Sequence, residues 1–245
     1  MDADTWDGAD LRQMLSLAAG RLSDRKLDLF NLWCCHVLRP YLRDRRAFAA
    51  VRFAEQQVDA GWPDTTERAA VRAAAKQAVE ELAEWSHRCP RTPAEYRARR
   101  VYAQAALVAQ QTVAADLPNR GVQSNSDYTA YAYAWANDDS GAASPDDSPT
   151  IQALRETHLR LQEAIFRDIV GDPFRPVAFD ARWRTADVVG LARAAYEDGA
   201  FGRLPMLADA LMDAGCDDDA ILAHCRGPGP HARGCWVMDL CLGKG

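Results

Sequence analysis

Apolar residues recur every three or four positions along most of this chain, and that spacing dictates helices. Ile151, Leu154, His158, Leu161, Ile165 and Ile169 hold the spacing over five turns. Leu27, Phe30, Cys34, Leu38 and Tyr41 form one stripe near the start, and Leu29, Trp33 and His36 form a second. Asp28, Asn31, Cys35 and Arg39 lie between them as a polar stripe. A helix apolar around most of its circumference is a central one. The stripes predict that Cys34 is buried and Cys35 more exposed.

Start and stop signals divide the periodic stretches. Ser23, Asp44, Thr92, Thr185 and the run Asp217 to Asp219 read as helix caps. Thr92-Pro93-Ala94-Glu95 is the strongest, with Thr at the N-cap, Pro at the first helical position and Glu where a capping box needs it. Its helix is expected to run to about residue 117. Thr65 or Thr66 opens an Ala-rich helix to about His87, which Cys89-Pro90 breaks. Leu204-Pro205 opens another that Gly215 ends. In YTAYAYAWA, Tyr128, Tyr131, Tyr133 and Trp135 fit a strand or a helix. The alanines between them, and the lack of any partner strand, favour the helix. FRPVAFDARWR, with two prolines, reads as an extended strap near 172–183. Gly227-Pro228-Gly229-Pro230 is a loop, and the apolar tail from Cys235 to Leu240 is expected to pack. The fold class is all-α, either an irregular multi-helix bundle or a solenoid-like stack, since no repeat of the usual solenoid length is visible. The expected organisation is a helical region 1–117, a polar linker 118–149 with a short aromatic segment, and a helical region 150–245.

With 245 residues, 48% hydrophobic and 26% charged, the chain can bury a core and is not a disordered polymer. No apolar run approaches the roughly 18 residues of a membrane span. The opening MDADTWDGADLRQ has neither a basic nor an apolar region of a secretory signal, so a cytoplasmic location is expected. The net charge of -6 argues against a general nucleic-acid binder. Seven cysteines, an odd number with no C-x-x-C, point to reduced thiols.

Few residues carry recognisable chemistry. His224, Cys225, His231 and Cys235 lie close together in AHCRGPGPHARGCW, and two Cys with two His are a legitimate zinc set. Their spacing matches no known finger, and the plain structural reading puts Cys225 at the end of an apolar helix face and Cys235 beside Trp236. A thiol nucleophile would pair Cys225 or Cys235 with His231, oriented by Asp239. His158 reads as a hydrogen-bonded core histidine. The clusters Arg43, Arg45, Arg46 and Arg97, Arg99, Arg100 read as solvated helix faces, and no phosphate-cradling glycine motif is present.

Three stretches go together: SDRKLDLFNLWCCHVLRPYL at 23–42, FRPVAFDARW at 174–183, and RLPMLADALMDAGCDDDAILAHCRGPGPHARGCWVMDLCLGKG at 203–245. They resemble a family of helical bacterial proteins of planctomycete type that has no assigned activity. The resemblance implies an all-helical, cytosolic, bacterial protein and supplies no reaction and no residue roles. The residues then favour a non-enzymatic helical module for protein–protein interaction or scaffolding. Tyr128, Tyr131, Tyr133 and Trp135 are its expected contacts, with a protein partner and no cofactor. The alternative is a zinc-binding or thiol-dependent enzyme centred on 224–235.

Overall fold

The caps act as the sequence places them. In this computed structural model, which describes residues 3–62, 66–88, 90, 92–114, 121–140 and 148–244, twelve α-helices form and no strand occurs among the described residues. The first are α1 (Ala3–Asp7) and α2 (Leu11–Leu17). Asp10 opens α2 with a reciprocal capping box: its carboxylate accepts from the Gln13 N–H at 2.8 Å, and the Gln13 side chain accepts from the Asp10 N–H at 2.9 Å. Next come α3 (Asp24–Leu38), then a 3-10 turn at Pro40, and α4 (Arg45–Gln57), where Asp44 accepts from the Arg46 N–H at 2.8 Å. The Ala-rich stretch is α5 (Thr66–His87). In α6 (Pro93–Gln111) Thr92 accepts from the Glu95 N–H at 3.1 Å, while the Glu95 carboxylate pairs with Arg99 one turn on. That helix stops at Gln111, short of the expected 117. Residue 117 lies outside the described residues, as do Thr65, Cys89 and 141–147 of the expected linker.

The aromatic segment is helical, within α7 (Val122–Ala136). The remaining helices are α8 (Pro149–Val170), α9 (Ala186–Asp198), α10 (Leu204–Asp213), α11 (Asp219–Arg226) and α12 (Trp236–Leu242). Thr185 caps α9, and Asp218 accepts from two N–H groups of α11, each at 3.0 Å. The strap is present: 176–180 has no regular structure and leads into a 3-10 turn, Ala181–Trp183.

The chain forms two compact units, 27–162 and a discontinuous one made of 1–26 with 163–245. The first 26 residues therefore group with the C-terminal unit, an arrangement that the expected linear order 1–117, 118–149 and 150–245 does not contain. Hydrophobic spacing is local and reveals elements. It carries no information on which remote elements share a core.

In unit 27–162, α3 is surrounded. Cys34 is buried, and Cys35, expected to be more exposed, is only 2% exposed. The whole middle of its polar stripe is interior. Asn31 accepts from the Asn125 amide at 2.8 Å, and Asp28 accepts from the Trp62 indole N–H at 2.5 Å. Polar side chains enter a core when partners satisfy them there. One apolar position departs the other way: Leu161 is 40% exposed, and Gln162 beside it is buried instead.

In the other unit, Val188, Leu204, Leu207, Leu211, Ile221 and Val237 are fully or almost fully buried in one cluster. Val177, Phe179 and Trp183 of the strap pack on it, as do Trp236 and Leu242 of the tail. The Trp6 and Phe174 rings lie 6.0 Å apart, and the Arg167 guanidinium donates to the carbonyls of Trp6, Asp7 and Ala9, which ties the N-terminus to α8.

Candidate functional site

Within the discontinuous unit, a cleft of about 860 Å³ opens between the N-terminal residues, the end of α8, the strap and the 227–234 loop. Trp6, Arg21, Arg175, Pro176, Pro228 and Trp236 are among its walls. Asp168, His224 and His231 also line it.

Asp168 sits in the last turn of α8, on the buried face it shares with Ile165 and Ile169, and is 4% exposed. Gly171, at φ +73°, turns the chain directly after that helix and lets Trp236 come close, since a Cβ there would sit 3.1 Å from the indole Cγ. His224 lies in the last turn of α11, His231 in the loop, and Cys235 immediately before α12. Asp168 Oδ1 lies 2.7 Å from His231 Nδ1 and 3.1 Å from His224 Nε2, and Asp168 Oδ2 accepts from the Ala232 N–H at 2.8 Å. His224 Nε2 also lies 3.0 Å from Cys235 Sγ. The donor atoms of Asp168, His224, His231 and Cys235 all fall within 4.8 Å of one another.

Of the expected set His224, Cys225, His231 and Cys235, three converge and Cys225 does not join them. Its side chain is fully buried in the apolar cluster that also holds Cys216 and Cys241, and burial pushes its thiol up to about 12. Adjacent residues on a helix point about 100° apart, so His224 and Cys225 cannot both face the cleft. Asp168, far away in sequence, takes the fourth place. Nothing local marks it, because it reads as one more polar residue on a long amphipathic helix.

Protons can be placed from the partners. The Trp236 indole N–H donates to His224 Nδ1 at 3.1 Å. An indole nitrogen only donates, so Nδ1 accepts and Nε2 carries the ring proton. That N–H faces both Asp168 and Cys235. Burial pushes the Asp168 carboxyl up, yet the hydrogen bonds from His224 and His231 outweigh it and hold the group below its ordinary value. The bond to Asp168 raises His231, against the effect of burial. Burial first, and then the Asp168 charge, raise the Cys235 thiol far above its ordinary value. A nucleophilic cysteine needs a base that accepts its proton and a lowered pKa. His224 presents a donor to Cys235, and the thiol is shifted the wrong way.

Asp239, the expected orienter, is engaged elsewhere. The Arg25 guanidinium holds its two oxygens at 2.7 and 3.0 Å, and Lys26 pairs with it as well. The Lys26 ammonium also donates to the carbonyls of Ile169 at 2.6 Å and Gly234 at 2.8 Å. One side chain thus fastens the end of α8, the loop and α12 to the start of α3. Arg226, at the end of α11, bonds Asp209 at 3.2 Å.

Of the aromatic set on α7, one side chain is fully interior. Trp135 is 4% exposed, with its ring 5.1 Å from Tyr131 and 5.8 Å from Tyr96. Tyr128, Tyr131 and Tyr133 are half-buried, and the Tyr133 ring packs tilted against His158 with centroids 4.4 Å apart. Three of the six arginines in the two clusters form ion pairs within the unit: Arg46 with Asp44 and Glu81, Arg97 with Asp138 at 2.9 Å, Arg99 with Glu95. No helix among the described residues is long and apolar enough to cross a membrane. No family model, no curated protein and no solved structure matches the chain.

Proposed function

We propose that the protein is a non-enzymatic binding module whose cleft in the discontinuous unit receives an extended segment of a partner protein. The cleft carries this reading. Its size exceeds a water-filled surface dent, and its walls offer indoles, prolines and guanidiniums, the side chains that dominate binding energy at protein interfaces. The ionisable groups on its floor pair with one another, and the thiol there lacks the activation that covalent chemistry requires. The contact surface moves accordingly from Tyr128, Tyr131, Tyr133 and Trp135 to the cleft walls.

The test is a peptide-display selection on the purified full chain. The reading expects a convergent peptide family, protection of cleft backbone amides from hydrogen exchange on binding, and loss of binding in Arg21→Glu and Arg175→Glu. Both arginines are exposed at the cleft rim, so these variants leave the core intact. A selection that fails to converge, or peptides that bind the double variant equally well, would overturn it.

A further inference from the structure

We propose that Asp168, His224, His231 and Cys235 form a binding site for one zinc ion on the cleft floor. The inference goes beyond the peptide-binding reading and does not depend on it. The donor set is one carboxylate oxygen, two imidazole nitrogens and one thiol sulfur, converging from α8, α11, the loop and the start of α12. Hard cations such as magnesium and calcium want oxygen alone, whereas imidazole with thiolate selects zinc and its neighbours. A dication with one carboxylate and one thiolate sums to zero charge, which suits a pocket where Asp168 and Cys235 are both buried.

The spacing fits after a small expansion. Zinc bonds of about 2.0–2.3 Å in a tetrahedron put neighbouring donor atoms roughly 3.3–3.8 Å apart. The pairs 2.7, 3.0 and 3.1 Å apart in the structure are the same donors drawn together by protons. The Ala232 N–H already holds Asp168 Oδ2, which leaves Oδ1 as the single ligand oxygen. His231 reaches the centre through Nδ1, and its Nε2 is buried without a hydrogen-bond partner, so it has room for the ring proton that zinc displaces. Loading releases the Cys235 thiol proton to solvent. It also moves the His224 proton from Nε2 to Nδ1, which breaks the bond from Trp236.

The experiment uses the full chain, treated with a chelator and titrated with cobalt(II) as a spectroscopic stand-in for zinc. The expected result is one equivalent bound, tetrahedral visible bands, a thiolate-to-cobalt charge-transfer band, and bleaching by one equivalent of zinc. Cys235→Ser is expected to abolish the charge-transfer band. Asp168→Asn is expected to weaken binding at least about tenfold. Cys225→Ser is expected to leave stoichiometry and spectrum unchanged. Circular dichroism of the metal-free variants reports folding separately. Absence of cobalt uptake by the wild type, or a spectrum that Cys235→Ser leaves unchanged, would overturn the proposal.

Discussion

The Gln162 amide nitrogen lies 2.8 Å from His158 Nδ1 and 3.1 Å from the Ser126 carbonyl oxygen. The carbonyl can only accept, so the amide donates to both, and His158 Nδ1 is a bare acceptor. A second proton on His158 would face that donor inside a core where the ring also packs against Trp33 and Tyr133. Burial lowers its pKa to about 4.

A pH dependence follows. A buried base with a lowered pKa contributes fully above its unfolded value near 6.5, and the contribution is lost as pH falls toward 4, because the unfolded chain then binds the proton more readily. Stability is expected to be flat above about pH 7 on account of this group and to drop by up to about 3 kcal/mol between pH 6.5 and 4. His158→Phe should cost about 1–3 kcal/mol at pH 7, since the Gln162 donor loses a partner, and should flatten the acid limb. Urea titrations of both proteins across that range check the slope.

The two adjacent cysteines of α3 should behave alike. Both are buried, and burial pushes Cys34 up to about 12 and raises Cys35 well above its ordinary value. Thiol-specific labelling of the native protein should therefore be slow at both positions and accelerate together when denaturant unfolds the unit. Peptide mapping of the labelled sites would expose any native-state difference.

Much of this architecture could be read locally. Caps at Asp44, Thr92, Thr185 and Asp218 are short-range chemistry, and the structure uses each one. The site was half readable. His224, His231 and Cys235 are near neighbours in sequence, but Asp168 reaches them only through the tertiary fold, and Cys225 leaves them because a helix turns it away. The polar stripe of α3 misled for the same reason: Asn31 and Asp28 find their partners at Asn125 and Trp62, which spacing alone cannot announce. Lys26 did leave a signal. A cation in the first turns of a helix opposes the helix dipole, and such a local cost marks a residue held there by distant partners.

Removing that lysine tests its role. Lys26→Met keeps the stem but leaves the Ile169 and Gly234 carbonyls and part of Asp239 without their donor. Losing one partner of a buried charged network costs about 2–4 kcal/mol. Lys26→Arg should not rescue it, because a planar fork cannot replace an ammonium that points at three acceptors. Thermal unfolding of the three proteins measures the loss, and a Met variant as stable as the wild type would show that the network contributes nothing net.

Two glycines separate backbone strain from crowding. Gly20 and Gly171 have nearly the same φ, +74° and +73°. A Cβ at Gly20 would meet open space, whereas at Gly171 it would lie 3.1–3.2 Å from Trp236 Cγ and Cβ. Gly20→Ala should cost only the left-handed penalty of about 1–2 kcal/mol. Gly171→Ala adds displacement of the indole and should cost about 1–3 kcal/mol more. Equal losses for the two in denaturant titrations would mean that Trp236 yields freely.

Trp236 also opposes metal loading. Its N–H holds His224 in the tautomer whose Nε2 is protonated, while a metal at Nε2 needs the proton on Nδ1, where it would meet the indole donor head-on. Trp236→Phe keeps an aromatic ring beside His224, Gly171 and the apolar cluster while it deletes that donor and trims the indole's bulk. A neutral hydrogen bond of this kind contributes about 0.5–1.5 kcal/mol. Cobalt should therefore bind the variant about two- to tenfold more tightly than the wild type. In the metal-free variant, the nitrogen chemical shifts of His224 should move from a single tautomer toward a mixture. Weaker cobalt binding together with an unchanged tautomer would show that the indole ring positions His224 and that its N–H does not govern the ring's proton.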